Sequence, residues 1–488
     1  MATLGKFKTT QQPWTAECTE LNHLGAMLAA KPHVFEKAVT KMFSAQNYFS
    51  DNPMMATLVN IGATEQISSM EYEWKLKGAD SIPAVVIENV EPAIVKQPGL
   101  GRTTFKIKVD QKWFKVGSVI SPGNQGHTYQ SRIIDDGQPH GTGFVYTARL
   151  VNDDPKAFLP LVYLQPGQQW IQLFGTYGEG AEKGVTTSFS APFTLRGSIG
   201  KLRREYKMTD YALEQVLATP FVDRTGKAHK FWLSVQEAES MRAFERDKEI
   251  ALWYNRKANS LIDSTGRKVD SFAGINEQLE DAHNHYYSEL TAKLIEDFLM
   301  DIFYSRVKPG AGRKIKAYTG EYGMLLFHRA MNDLMTKRGW IMAGTNFNPV
   351  KQTSSEYNSN AYSVGYQFTK YIMHNGAELE LIHNPIQDDR SINFELDPVT
   401  GYPVESMVIN FLDFGGEGTA SNIKLVEKKD GYKFGYVNGL VGPYGATKGG
   451  AMAHSGEYFE MHYSKEFGVK IHDITRCGRL VYRKNMGV

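Results

Sequence analysis

Histidine and aspartate recur in two short stretches whose residue types suit metal binding. EDAHNHYY contains His283 and His285, and HNPIQDDR contains His383, Asp388 and Asp389. Two residues apart on a helix, the first pair would point to different faces, and the zinc-protease pattern His-Glu-x-x-His is absent. Asn and Pro mark the second stretch as a turn, where Asp is common for backbone reasons. Both patterns favour hydrogen-bonded or solvent-facing side chains over metal ligands.

A glycine-rich stretch, GLVGPYGATKGG (Gly439–Gly450), resembles a phosphate-binding loop only in composition. Counted from Gly442, the second glycine position of that motif holds Thr447, and Lys448 is followed by Gly449 rather than Ser or Thr. We interpret the stretch as a bend between two β elements, with Lys448 as a surface charge. GEGAEKG and GGEGTAS also depart from the dinucleotide-binding pattern and are interpreted as bends.

Other chemistry leaves little trace in the sequence. RGSIG has the wrong spacing for a nucleophile elbow. The basic cluster KLRREYK suits phosphates, acidic residues of another subunit or solvent equally well. A hydrolase with paired carboxylates leaves no spacing signal and stays open. We therefore predict no catalytic, cofactor-binding or metal-binding residues and no bound cofactor, and we expect the protein to act through its surfaces rather than as an enzyme.

Composition narrows the class of protein. The 488 residues include 55 Lys and Arg against 53 Asp and Glu, and the formal charge of +2 argues against a dedicated nucleic-acid binder. The only cysteines are Cys18 and Cys477, which fits a reducing compartment. The start of the sequence has no signal-peptide pattern and no run is long enough to span a bilayer. We expect a soluble cytoplasmic protein, or one exported without a signal peptide.

Apart from a helical middle region, hydrophobic periodicity predicts an N-terminal arm and two regions of strands. PHVFEKAVTKMF indicates a helix in an N-terminal arm, and residues 51–66 are expected to form an extended connection because Pro53 interrupts them. From Met70 to about residue 195 the period is two, as in MEYEWKLK and FKIKV, which predicts strands. The last 120 residues or so again suggest strands, with a hairpin turning at Asp430–Gly431.

The middle region is predicted to be helical. TDYALEQVL begins it, and a long helix follows over Ser234–Lys257, with Ser234 and Glu237 as a capping box and a charged, exposed surface. An apolar stripe predicts another helix around Leu290–Phe303. YGMLLFHRAMNDLMTKRG predicts one more, ending at Gly339. Helices and strands are segregated rather than alternating, so the class is α+β.

Several stretches resemble the major capsid proteins of tailed bacteriophages with the Hong Kong ninety-seven fold, most closely those of crAss-like phages. They are, in order, EYEWKLKG, TTFKIKVDQKWFKVGSVISP, SFAGINEQL, YTGEYGMLLFHRAM and LDPVTGYPVESMVINFLDFG. They span most of the chain from about residue 70, whereas the first seventy residues match only in general character.

The resemblance implies five segments. They are an N-terminal arm (1–66), an extended loop with a β-rich insertion (67–205), a spine helix with a peripheral domain (206–315), an axial domain (316–425) and the return strands of the peripheral domain (426–488). The β-rich region departs from the simplest members of the family, whose extended loop is a two-stranded hairpin.

The resemblance also implies a function. Many copies would form pentamers and hexamers of an icosahedral shell around double-stranded DNA, together with auxiliary or head-decoration proteins and a portal at one vertex. The protein would assemble in the host bacterial cytoplasm and reside in the virion, away from membranes. Another phage structural protein, in the tail or the portal ring, is the alternative; a cytoplasmic carbohydrate-active enzyme is a more distant one.

Overall fold

The computed structural model describes residues 52–76, 82–92, 95–179, 192–214, 216–222, 228–304, 306–307, 313–337, 370–372, 377–415, 421–443 and 445–483. The predicted arm helix and the stop at Gly339 lie outside these residues. The chain divides into two compact units, Met1–Trp74 with Arg196–Val488, and Lys75–Leu195. We call them the main unit and the β unit.

The helices of the described residues are numbered in chain order. They are α1 (Pro53–Ile61), α2 (Asp210–Glu214), α3 (Trp232–Tyr254), α4 (Ile275–Gln278), α5 (Ala292–Phe303), α6 (Glu321–Lys337) and α7 (Pro385–Asp388). Short 3₁₀ turns lie at Leu100–Arg102, Gln125–His127, Leu161–Leu164, Leu279–Asp281, Val404–Met407 and Ile474–Arg476. None of these helices, within the part of the chain that is described, is long and apolar enough to cross a membrane.

The strands are numbered in the same way. The first nine are β1 (Thr64–Ile67), β2 (Glu71–Leu76), β3 (Ala84–Glu88), β4 (Thr104–Val109), β5 (Ser118–Ser121), β6 (Ser131–His140), β7 (Gly143–Leu150), β8 (Gln169–Gly175) and β9 (Phe193–Ser198). The next eight are β10 (Gly200–Thr209), β11 (Val216–Val222), β12 (Ala228–Phe231), β13 (Ala258–Ile262), β14 (Lys268–Ser271), β15 (His283–Tyr287), β16 (Lys314–Thr319) and β17 (Lys370–Ile372). The last eight are β18 (Glu378–His383), β19 (Ile409–Leu412), β20 (Ile423–Lys428), β21 (Lys433–Asn438), β22 (Val441–Gly442), β23 (Gly445–Ala446), β24 (Tyr458–Ile471) and β25 (Gly478–Tyr482).

The main unit contains two mixed sheets of five and six strands. One has the order β15-β25-β19-β16-β18-β17, and the other has the order β1-β20-β24-β10 with β21 also paired to β24. The predicted apolar stripe forms α5, whose Phe298 and Ile302 pack in one core with Phe411 of β19 and Leu480 of β25. Thr291 caps this helix by accepting a hydrogen bond from the backbone N–H of Leu294 at 3.3 Å. The prediction of this helix is confirmed, and so is the α+β class.

The β unit is a closed barrel with the strand order β3-β4-β7-β6-β5-β8. The predicted alternation of apolar residues is present in β4, where Phe105, Ile107 and Val109 are buried, but Lys108 is buried as well, so the charged face is exposed only at Lys106. Pairing of Ala84 with Trp170 closes the barrel between β3 and β8. Period-two alternation follows from the pleat of a strand, but closure depends on a pairing between distant strands that the alternation does not specify.

Residues 52–66 contradict the expected extended connection, because they form α1 and most of β1. Pro53 occupies the first turn of α1, where a missing N–H and a fixed φ are tolerated. Met54, Met55 and Leu58 are buried in the core that contains Trp253 of α3. Pro53 therefore begins a helix of the main unit and does not interrupt the chain.

The sequence Asp430–Gly431 does not turn a hairpin. Strands β20 and β21 both run antiparallel to β24, pairing with its residues 467–471 and 459–464. They therefore follow one another in the same direction, with an irregular turn between them. Asp430 has a φ of 57°, which Asp tolerates better than most residues. The dipeptide therefore separates two strands that pair along the same side of β24 and does not reverse the chain.

Two helix boundaries also differ from prediction. Helix α3 begins at Trp232, so Ser234 lies inside the helix and is not its N-cap. TDYALEQVL yields only the short α2, since β10 continues to Thr209 and β11 begins at Val216. Pairing of β10 with β24 over ten residue pairs overrides the local helical preference at this point.

Candidate functional site

A buried carboxylate joins α1 to the long helix α3. Glu249 has no exposed surface, and its side chain accepts hydrogen bonds from the backbone N–H groups of Met54 and Met55, each at 2.8 Å. The indole N–H of Trp253 donates a further bond at 3.2 Å. The first N–H groups of a helix have no intrahelical acceptor, so Glu249 caps α1 from another element. We call this arrangement the arm junction.

Aromatic groups surround the arm junction. The hydroxyl of Tyr318 on β16 donates to Oγ1 of Thr57 in α1 at 2.8 Å, and its ring packs edge-on against Trp253. Burial raises the pKa of Glu249 to about 7, and the hydrogen bonds from Met55, Met54 and Trp253 oppose that rise. The carboxylate is therefore held near its point of titration at neutral pH, at the place where α1 meets the long helix α3.

The expectation that the charges of α3 are exposed is wrong at two positions. Glu249 is fully buried and Lys248 is 5 % exposed, with its Nζ 2.6 Å from Glu245. Arg242 and Arg246 are exposed, as expected. Sequence reasoning missed Glu249 because charge was counted over the whole helix. The apolar residues that follow it, IALWY, were the signal that this end of α3 is internal.

His283 and His285 lie on strand β15 and not on a helix, so that they point to the same face. The Nε2 atom of His283 is 3.1 Å from the carbonyl oxygen of Thr475 and 2.7 Å from Nη1 of Arg306. Burial and the positive charge of Arg306 lower the pKa of His283. Nε2 of His285 lies 3.4 Å from Asp301. Each histidine thus has its own partners.

The second candidate metal stretch serves the N-terminus of α6. Nε2 of His383 lies 2.6 Å from Oδ2 of Asp388, and both oxygens of Asp388 accept from the backbone N–H of Glu321, at 3.0 and 2.9 Å. Asp389 instead accepts from Ser391. The sequence indicated a turn, and the structure adds the helix that the turn caps. Among the described residues, no cluster of three His, Cys, Asp or Glu side chains suits a metal ion.

The glycine-rich stretch links β21 to β24, neighbouring strands of one sheet, as predicted. Gly449 has a φ of 77°, and Lys448 is exposed. The tightest position is Gly439, where a Cβ atom would lie 2.6 Å from the carbonyl oxygen of Tyr458 and still closer to that of Gly456. Close backbone packing explains this glycine.

The basic cluster on β10 meets side chains of its own sheet and of α3. Arg204 lies 2.5 Å from Asp247, and Nζ of Lys207 lies 3.8 Å from the ring centroid of Tyr458. Lys201 is 3.9 Å from Glu466, and Nη2 of Arg203 is 3.2 Å from Nδ1 of His462. Local contacts therefore account for these charges without a phosphate.

An exposed apolar hairpin follows the long helix. Within the described residues, strands β13 and β14 pair with each other and with no further strand, and Ile262 is 70 % exposed, Leu261 48 % and Val269 37 %. An isolated two-stranded hairpin is at best marginally stable in water. A second exposed apolar group, Phe394 and Val399, lies in the loop after α7. Such side chains mark surfaces suited to contact with another protein.

Comparison with known proteins gives matches along the whole sequence. The family model described as Crassvirus major capsid protein matches residues 1–485. The chain is 28% identical over 508 residues to the protein named Major capsid protein of Bacteroides phage crAss001, covering 98% of each sequence. Among solved structures it is similar to the Cyanophage A-1(L) capsid asymmetric unit, with a TM-score of 0.41 and 9% identity over 94% of this chain and 99% of the other. Mycobacterium phage Bobi gives a TM-score of 0.36 and 7% identity over 94% and 98%.

Proposed function

This chain belongs to the Crassvirus major capsid protein family, and on that basis we propose that many copies assemble into pentamers and hexamers of an icosahedral shell enclosing double-stranded DNA. The observation that carries the proposal is the family match over residues 1–485. Each contact between copies need not be strong, because several engaged at once raise the overall affinity.

Exposed apolar surface in the main unit supports assembly through contacts between copies. The hairpin formed by β13 and β14 exposes Leu261 and Ile262 to solvent. Burying such side chains against a neighbour is favourable by roughly 25 cal/mol per Å² of apolar surface. We propose that this hairpin, which directly follows α3, contacts an adjacent copy in the shell.

The proposed fold is of the Hong Kong ninety-seven type. Under this proposal α3 is the spine helix, and the chain is divided at the five segments 1–66, 67–205, 206–315, 316–425 and 426–488. The β unit, Lys75–Leu195, falls within the second segment and supports the inserted subdomain. Residues 52–66, in contrast, are packed into the main unit, so that this part of the proposed first segment does not extend freely from it.

The proposed role is structural rather than enzymatic. Auxiliary or head-decoration proteins and a portal at one vertex complete the proposed set of partners, with packaged DNA in non-specific proximity. Assembly takes place in the host bacterial cytoplasm under this proposal. The charge balance of +2 suits a shell that encloses DNA without binding it as a dedicated partner.

Electron microscopy and analytical ultracentrifugation of the expressed protein test the proposal. We expect capsomers or closed particles containing many copies, and cryo-electron microscopy should resolve five-fold and six-fold clusters. A small oligomer of fixed size under all salt and protein concentrations would count against a shell protein, and would favour an enzyme or a tail component.

A further inference from the structure

The hairpin formed by β13 and β14 projects from the main unit without a packed surface of its own. Every residue from 259 to 269 is exposed. The two strands are joined by three register pairs, with a shift between the first pair and the second. Because an isolated two-stranded hairpin is at best marginally stable in water, this element has little to hold it closed.

The turn of the hairpin is organised by Asp263. Its Oδ1 atom accepts hydrogen bonds from the backbone N–H and the hydroxyl of Thr265, at 2.8 and 2.7 Å, and from the backbone N–H of Arg267 at 2.9 Å. Gly266 has a φ of 79°, in the left-handed region that glycine adopts without strain. These local bonds bring the ends of the two strands together, so the hairpin is able to form although its side chains are exposed.

The root of the hairpin, in contrast, is fixed to the main unit. The hydroxyl of Ser271 donates to the carbonyl oxygen of Arg256 at 2.7 Å. The next residue, Phe272, is buried and packs in the core that contains Trp253 and Phe467. Opening of the hairpin would therefore leave this core intact, as in the local unfolding of a single structural element.

Apolar side chains project from both faces of the hairpin. Leu261 pairs with Val269 across the strands, so these two side chains share one face, whereas Ile262 pairs with Lys268 on the other. The ion pair between Lys268 and Asp270, at 2.7 Å, is exposed and contributes little to stability. Burial of Leu261, Ile262 and Val269 is thus the stabilising contribution that the hairpin lacks in a single copy, as far as the chain is described.

We propose that the hairpin opens and closes in the unassembled protein and becomes ordered when a second copy of the chain covers Leu261, Ile262 and Val269, an inference that rests on the proposed assembly. In the proposed shell, a second copy is present at every contact. The contact supplies the free energy that orders the hairpin, so its net affinity is lower than the buried surface alone would give. Contacts weakened in this way can dissociate and re-form, which allows a misplaced copy to leave a growing shell.

Hydrogen exchange measured by mass spectrometry tests the inference on the full-length protein, unassembled and in particles formed from this chain alone. In the unassembled protein we expect the amide hydrogens of residues 259–269 to be protected by less than about 10-fold, because a marginally stable element is open much of the time. In particles their protection should rise by at least about 10-fold. Helix α5, in the core of the main unit, is the internal control and should be protected in both forms.

A substitution in the turn separates ordering on contact from folding of the subunit. Asp263→Ala removes the three hydrogen bonds of the turn. It should raise the protein concentration at which half of the chains assemble by about 10-fold or more, the loss expected for bonds to a charged acceptor. The midpoint of thermal unfolding of the unassembled protein should not change, because the hairpin is already open there. Ser264→Ala, at an exposed position of the same turn, is the matched control and should alter neither quantity.

Several outcomes overturn the inference. Protection of about 10-fold or more in the unassembled protein would show a hairpin that is stable by itself. A smaller rise in particles than expected, or a rise that requires another phage protein, would exclude a second copy as the covering partner. A lower unfolding midpoint in unassembled Asp263→Ala would show that the hairpin already contributes to the subunit. If the protein never forms particles, the proposed assembly fails and the second copy with it, whereas exchange in the unassembled protein still reports whether the hairpin opens.

Discussion

Replacing Glu249 by glutamine tests whether burial or hydrogen bonding has the larger effect on the pKa of this residue in the arm junction. Glutamine keeps the shape and one acceptor oxygen, but its amide group cannot ionise and faces one of the two backbone N–H groups with a donor. Leaving that buried N–H without an acceptor costs about 1–3 kcal/mol. Glutamine also avoids placing a negative charge at a fully buried position. The free-energy cost of that charge in the wild type depends on pH, because only the ionised carboxylate carries it.

The pH dependence has a definite sign. Burial raises the pKa of Glu249 from 4.5 to about 7, so the folded protein binds the proton more tightly than the unfolded chain. Its contribution to stability is therefore fully present below about pH 4.5 and is lost as the pH rises to about 7. At 1.36 kcal/mol per pKa unit, the loss over this window is about 3 kcal/mol.

The assay is urea unfolding of unassembled wild type and Glu249→Gln at several pH values from 4.5 to 8. Subtracting the two free energies of unfolding removes other titrating groups, such as Glu405 and Asp413, which both proteins share. We expect the advantage of the wild type to shrink by about 3 kcal/mol between pH 4.5 and 7 and then to level off. A difference that is constant, or that grows with pH, would show that the three donors and the positive end of α1 outweigh burial. The reasoning about this junction would then be wrong.

Three further substitutions probe packing, surface and loop. Arg476 pairs with the buried carboxylate of Asp413 at 2.9 and 2.6 Å, so Arg476→Gln should destabilise the fold by about 3–5 kcal/mol in urea unfolding. The control Arg196→Gln removes an exposed ion pair with Glu73 and should cost under about 1 kcal/mol. Equal losses of stability in the two variants would refute the larger contribution of the buried pair. Ile262→Lys should lower particle yield with little change in thermal stability, because it places a charge on the exposed apolar hairpin. The control Ser264→Lys, on the same hairpin, should leave the yield unchanged. A normal yield in Ile262→Lys would exclude the hairpin as a contact between copies. Gly439→Val should destabilise the fold by ~1 kcal/mol or more, whereas Lys448→Ala should leave the stability unchanged. Saturable ATP binding by the wild type that disappears in Lys448→Ala would show that this loop binds phosphate.

The sequence by itself determined those features that depend on near neighbours along the chain. The apolar stripe of α5 and the alternation of β4 follow from the periods of a helix and a strand, and each is present in the structure. The glycine-rich stretch could be recognised as a β linkage because strand-like segments flank it, and its mismatched motif positions excluded a phosphate-binding loop. Family membership could likewise be inferred from short stretches spread along the chain.

Only the tertiary structure decided the features that bring distant residues together. Whether Pro53 breaks the chain or begins a helix depends on Glu249, almost two hundred positions away, which supplies acceptors for the N–H groups of α1. Asp430–Gly431 would reverse a hairpin in isolation, but β24 offers one long edge on which β20 and β21 both pair. From the sequence alone, a charged residue on a helix is expected to be exposed, and only the structure shows that Glu249 and Lys248 are buried beside their partners. These outcomes depend on contacts across the fold, which no window of the sequence contains.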